Sequence, residues 1–161
     1  MLLKWFSTGP YPAMGEELFL LAVGKALSFW SACCNLQFER TSVVKEGQIF
    51  LLHGPIYPMR PELACMSGTA RKWPLSLLFY VNKRWVIARN PEPGKIDAVR
   101  VIAHEIGHAI LGNDHLSDGT LMARSYNLMA RTPQEADIRK AIEIYGPPQE
   151  DVVGDQTKVA I

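Results

Sequence analysis

HEIGHAILGNDH, residues His104 to His115, is the stretch that decides how this chain is read. It follows the breaker Pro91-Glu92-Pro93-Gly94, after which Ile96, Val99, Ala103, Ile106 and Ile110 recur at helical spacing up to Gly112. The spacing predicts a helix, with Asp97 in its first turn, where a negative charge suits the helix dipole. His104 and His108 are four apart on it, so both imidazoles project from one face, as two ligands of one ion must. Glu105, one step round, is awkward as a third ligand but can reach a water in the ion's open position, which makes it the candidate general base. Zinc is the natural ion, because it accepts neutral imidazoles in a tetrahedral set and brings its bound water to a pKa of about 7.

An isolated HExxH arises by chance on helices, and a buried, hydrogen-bonded histidine is a common bland outcome. The sequel adds weight. Gly112 can take the left-handed conformation that ends a helix, and His115 three residues later can fold back to the same ion. Three of the chain's four histidines lie in this run; the fourth, His53, reads as a strand-end residue.

Working outward, Leu2 to Phe6 suggests a short strand, closed by the turn signals Gly9-Pro10 and Pro12. From Gly15 to Cys33, Phe19, Val23, Ala26, Leu27, Trp30 and Cys33 form one apolar helical stripe. Leu36–Thr41, Gln48–Leu52 and Leu77–Val81 read as strands, with Ala64–Ala70 as an edge strand after an irregular loop marked by Pro55, Pro58 and Pro61. Thr132-Pro133-Gln134-Glu135 has capping-box spacing with proline at the first helical position, and Gly146-Pro147-Pro148 closes that last helix.

With 161 residues, about half of them apolar, the chain suits one globular domain with a core of its own. Seventeen basic against sixteen acidic residues, scattered rather than clustered, leave no footprint for nucleic acid or an anionic membrane. The most apolar stretch, Leu18 to Val23, is far shorter than the roughly 20 residues that span a bilayer, and acids and prolines precede it where a signal peptide carries basic residues. A cytoplasmic or particle-associated protein is therefore expected. Cys33 and Cys34 are adjacent and Cys65 is distant, so no paired framework forms and a reducing compartment is the simpler reading. Of the three thiols, Cys65 is the best placed to cap a metal, although free cysteine is more often merely buried.

These residues resemble the metzincins, whose pattern HExxHxxGxxH is followed by a turn with a methionine beneath the metal. Ser117-Asp118-Gly119-Thr120-Leu121-Met122 supplies such a turn, with Met122 in the methionine's place. Within that clan the chain is most similar to the catalytic domain of the matrixins. Phe29-Trp30-Ser31 and Leu36-Gln37-Phe38 resemble the family's first long helix running into its second strand, and Asp137-Ile138 with Ile144-Tyr145-Gly146 resemble its closing helix. The resemblance implies an α+β fold: a twisted mixed sheet, two long helices and a small C-terminal lobe with a third. It implies a catalytic domain over residues 1–146 with a tail at 147–161, one catalytic zinc, and a polypeptide substrate lying extended along the edge strand near Gly68, Thr69 and Ala70. Met122 would pack beneath the site and Tyr126 would line the specificity pocket.

The chain also departs from the family pattern. Three residues, Ala109, Ile110 and Leu111, separate the second histidine from the glycine where the family has two. One more helical residue turns the exit by about 100° and advances it about 1.5 Å, so the helix end is expected to bulge or tighten. Strict counting from His104 would put Asp114 in the third-ligand position, whereas the spacing after Gly112 favours His115. The loop from His53 to Cys65 lacks the histidine and aspartate set of the family's structural zinc, so one zinc and no calcium site are expected. No counterpart of the family's cysteine-containing pro-segment is read in these residues, so no built-in latency is expected, and Ala123-Arg124 stands where Tyr-Pro usually follows the methionine. Two other readings compete with a metalloendopeptidase. One is a metal-binding structural or assembly domain without turnover, against which Glu105 speaks, since a structural site needs no base. The other is a different zinc peptidase clan with Glu135 or Glu143 as third ligand, which makes Gly112, His115 and Met122 coincidences.

Overall fold

The computed structural model describes residues 1–9, 11–12, 14–54, 64–67, 69–80 and 83–149. Strand β1 (Leu2–Ser7) leads into helix α1 (Glu16–Cys33), followed by β2 (Gln37–Arg40), β3 (Ile49–Gly54), β4 (Ala64–Ser67) and β5 (Leu75–Tyr80). Two short strands, β6 (Trp85–Val86) and β7 (Ile96–Asp97), precede helix α2 (Ala98–Leu111), and helix α3 (Glu135–Tyr145) closes the described fold.

The main sheet has the order β2-β1-β3-β5-β4, with β4 antiparallel at the edge and the other neighbours parallel. Alternation along the strands buries one face: Leu3 and Trp5 on β1, Ile49 and Leu51 on β3, Leu75, Leu77 and Phe79 on β5. Against that face the stripe Phe19, Val23, Ala26, Leu27 and Trp30 of α1 is buried as the periodicity predicts, and α1 packs along α2. The Trp30 indole N–H donates to the Ala103 carbonyl at 2.9 Å, which ties the centre of α1 to the turn that carries His104.

The fold is mixed α and β with three helices, as the sequence leads one to expect. Several boundaries differ. The fourth strand ends at Ser67, and Thr69 and Ala70 belong to a turn in which the Lys72 N–H donates to the Thr69 carbonyl. An edge strand runs only as far as its partner offers hydrogen bonds, and the last pair with β5 is Ser67 with Ser76. Asp97 is the N-cap of α2 rather than a first-turn residue; its carboxylate accepts the Val99 N–H at 3.3 Å. The cap of α3 falls on Gln134, two residues beyond Thr132, because the Asp137 carboxylate reaches back to the Gln134 N–H at 2.8 Å. Residues 55–63, Val81, and the expected tail beyond Gln149 lie outside the described residues. Among the described residues no helix is long and apolar enough to cross a membrane.

Candidate metal centre

Every residue of α2 except Arg100 is buried, so its two histidines and Glu105 face protein rather than bulk solvent. His104 and His108 stand edge-on to each other with ring centroids 4.6 Å apart. His115, reached after the turn, lies 5.5 Å from the His104 ring and 4.8 Å from the His108 ring. One nitrogen from each can be chosen so that all three lie within 4.8 Å of one another, close enough to share one ion. Asp114, Glu135, Glu143 and His53 are not in that group among the described residues.

The ring nitrogens are assigned by their partners. His104 Nδ1 is 2.8 Å from the Leu121 carbonyl and His108 Nδ1 is 3.2 Å from the Gly112 carbonyl. A carbonyl only accepts, so Nδ1 carries the proton in both rings and Nε2 keeps its lone pair. Burial also holds all three imidazoles below their ordinary pKa, His104 at about 4, so they are neutral at physiological pH. Three neutral imidazoles, two of them oriented by outer carbonyls, are the donor set that zinc takes. Burial pushes the Glu105 carboxyl up to about 7, and a divalent cation beside it would draw that value back down.

The additional residue before Gly112 does not distort the helix. The Gly112 N–H donates to His108 O at 3.3 Å, an ordinary α-helical bond, so neither the expected bulge nor a tightening occurs. Gly112 itself has φ 134° and ψ 171°, a region essentially reserved for glycine but not the left-handed helical one anticipated. The surplus is absorbed by the exposed turn Asn113–Asp114, after which the chain is recaptured: the Leu116 N–H donates to Met122 O at 2.8 Å and Leu116 bridges Ala123 in parallel.

Met122 lies beneath α2, fully buried, with its sulfur against Gly107. Sequence reasoning missed what holds it there. The Asp137 carboxylate, with no exposed surface, accepts the Leu121 N–H at 2.8 Å and the Met122 N–H at 3.1 Å besides that of Gln134. An acid at the third position of a capped helix was the available signal. Tyr126 lies at the other end of α2: its hydroxyl accepts the Asp97 N–H at 2.9 Å, and the Arg100 guanidinium sits 5.0 Å from its ring centre. A cavity of about 380 Å³ opens beside Tyr126, Asn127 and Arg100. The buried Asp97 is paired with Arg131 at 2.5 Å, which fixes the loop after Tyr126 to the start of α2. Of the expected substrate residues, Thr69 is exposed and Ala70 partly so, while Gly68 and the Cys65 side chain lie outside the described residues. The Arg71 N–H donates to Ala109 O at 3.0 Å, so this turn abuts the last turn of α2.

Residues 70–146 match the family model for the matrixins. A plant relative, metalloendoproteinase 1 of Glycine max, is 26% identical over 122 residues, which cover 70% of this chain and 39% of the relative. The two α2 histidines, the third histidine and the methionine turn all fall within the matched stretch, over which the chain is similar to the matrixins.

Proposed function

We propose that the protein is a zinc-dependent metalloendopeptidase. The observation that carries this reading is the convergence of His104, His108 and His115 beside the buried carboxyl of Glu105. His104, His108 and His115 would hold the ion through neutral rings, with Asp114 left in the turn outside the group. Zinc held there would polarise a peptide carbonyl and acidify a water.

Glu105 is the general base of this reading. It takes the proton of the attacking water and returns it to the departing amine, a role suited to a carboxyl whose surroundings place its pKa near neutrality. Met122 takes no chemical part and packs under the site. Polypeptide is the substrate, laid along the β4 edge and past the turn at Thr69 and Ala70, with Tyr126 as a wall of the specificity pocket. An assembly domain without turnover would have no use for a buried carboxyl at position 105, whose desolvation is unfavourable.

The test is zinc content and cleavage of a quenched peptide library, wild type beside Glu105→Ala. One zinc in both and cleavage by wild type alone is expected. Zinc in both and cleavage by neither would favour the non-catalytic reading, and no zinc in a metal-replete preparation would remove the proposal altogether.

A further inference from the structure

The cavity of about 380 Å³ beside Tyr126 is lined by Arg89, Lys95, Arg100, Tyr126, Asn127 and the turn at residues 90–94. That volume lies in the range of small-ligand sites. The charge around it is one-sided. Lys95 and Glu92 pair with each other at 2.8 Å, and Asp97, whose N–H meets the Tyr126 hydroxyl, is taken by Arg131. Arg89 and Arg100 remain, two cations with no acidic partner among the described residues.

Arg100 is held in place without being satisfied. Its guanidinium carbon stands 5.0 Å from the centre of the Tyr126 ring, a cation–π seat. One terminal nitrogen donates to the Arg89 carbonyl at 3.4 Å, a long bond that also brings the second arginine alongside. Nε is buried with no partner among the described residues. A guanidinium carries five N–H donors, and a charge partly shielded from water gains more from an opposite charge than a fully hydrated one does. The Tyr126 hydroxyl accepts the Asp97 N–H at 2.9 Å and keeps its own proton to donate, while Asn127 adds an exposed amide.

We propose that this cavity binds an oxyanion, a carboxylate or phosphate group, with Arg100 as the principal donor and Arg89 as the second. Planar guanidinium donors match such a group, and the donors lining the cavity outnumber its acceptors. Two sources carry the group. One is an acidic side chain of a bound polypeptide, since Arg100 stands one helical turn before His104 on α2; the other is a free small anion. The site stands without the peptidase reading, because neither arginine belongs to the histidine cluster.

The experiment titrates the full chain, zinc-loaded and zinc-free, with inorganic phosphate and with glutarate at constant ionic strength. Proton–nitrogen NMR follows the Arg100 Nε–H and the Asn127 amide. A saturable displacement of both signals is expected with and without zinc, with a dissociation constant on the order of 1 mM for a half-solvated charge-assisted contact. Arg100→Gln, read at the Asn127 amide, weakens binding about tenfold. The exposed Arg89→Ala weakens it about two- to fivefold. Lys25→Ala, the same loss of charge on α1, leaves it unchanged. Labelled peptides paired as Glu against Gln on zinc-loaded Glu105→Ala then identify the source. A preference for Glu that phosphate competes away and Arg100→Gln abolishes assigns the site to substrate; phosphate binding that no peptide disturbs assigns it to a free anion. Shifts that do not saturate, shifts that need zinc, or binding that survives both Arg89→Ala and Arg100→Gln overturn the site and leave the peptidase reading untouched. Absence of bound zinc defeats that reading alone, and the zinc-free titration still decides this one.

Discussion

The sulfur of Met122 sits where a β-carbon on residue 107 would have to go, so α2 at Gly107 approaches the methionine turn too closely for any side chain of its own. The Trp30 ring closes the same gap, 2.9 Å from that hypothetical carbon. Gly107→Ala is therefore an overpacking change between the two helical histidines, next to His108. It is expected to destabilise the fold by about 1–3 kcal/mol and to weaken zinc binding as Met122 is displaced. Denaturant unfolding and a zinc titration check both, and an unperturbed variant would show that the turn has room to yield.

Asp137 holds that turn from the other side. Asp137→Ala leaves buried N–H groups of Leu121 and Met122 without an acceptor, for an expected loss on the order of 3 kcal/mol. Asp137→Asn keeps one carbonyl oxygen but turns an amino group towards donors, so a smaller loss is expected. Equilibrium unfolding ranks the three proteins; equal stability of wild type and Asp137→Ala would contradict the role assigned here.

The third ligand is tested by paired substitutions. His115→Ala is expected to lower zinc affinity by more than the roughly 10–100-fold that loss of an outer partner costs, while Asp114→Ala stays within a few-fold of wild type. Zinc should raise the melting temperature of wild type and a chelator should reverse the rise, since an ion bound only by the folded state stabilises it. A competition assay in which the Asp114 variant loses the metal and the His115 variant keeps it would exchange the two residues.

His53 supplies a pH dependence away from the metal. Its ring lies among those of Tyr11, Phe19 and Phe79, centroids 5.0, 4.5 and 6.2 Å away, with no hydrogen-bond partner on either nitrogen among the described residues. Burial lowers its pKa from 6.5 to about 4. A folded-state pKa below the unfolded one contributes stability that is present above pH 6.5 and is lost as pH falls towards 4. The metal-site histidines are also held low, so the comparison is with His53→Phe, which removes only this contribution. Melting curves are expected to diverge in the variant's favour over that window; parallel curves would mean that His53 protonates without cost.

Much of this was legible in the sequence because it is local. Two histidines four apart, the apolar stripe from Phe19 to Trp30 and the glycine after Leu111 are patterns on single elements, where helix pitch alone fixes the geometry. What escaped depends on partners distant in sequence. The end of β4 is set by its pairing with β5, the cap of α3 by an aspartate whose other contacts lie in the methionine turn, and the Trp30 bond to Ala103 spans 73 residues. The conformation of Gly112 escaped for a related reason: where the chain must go next is decided by the Leu116–Ala123 bridge, not by the helix it leaves.

That bridge also divides the site into a part free to vary and a part that is not. Because Asn113 and Asp114 hang in solvent while Leu116 is gripped by Met122, the interval from the second histidine to the third behaves as slack cord, open to gain or loss of a residue over evolutionary time. The interval from His115 to Met122 is also exposed, at Ser117 to Gly119, but it is tied: the Gly119 N–H donates to Leu128 O at 2.8 Å and the Thr120 N–H to Ser117 O at 3.3 Å, so an insertion there would have to break those ties.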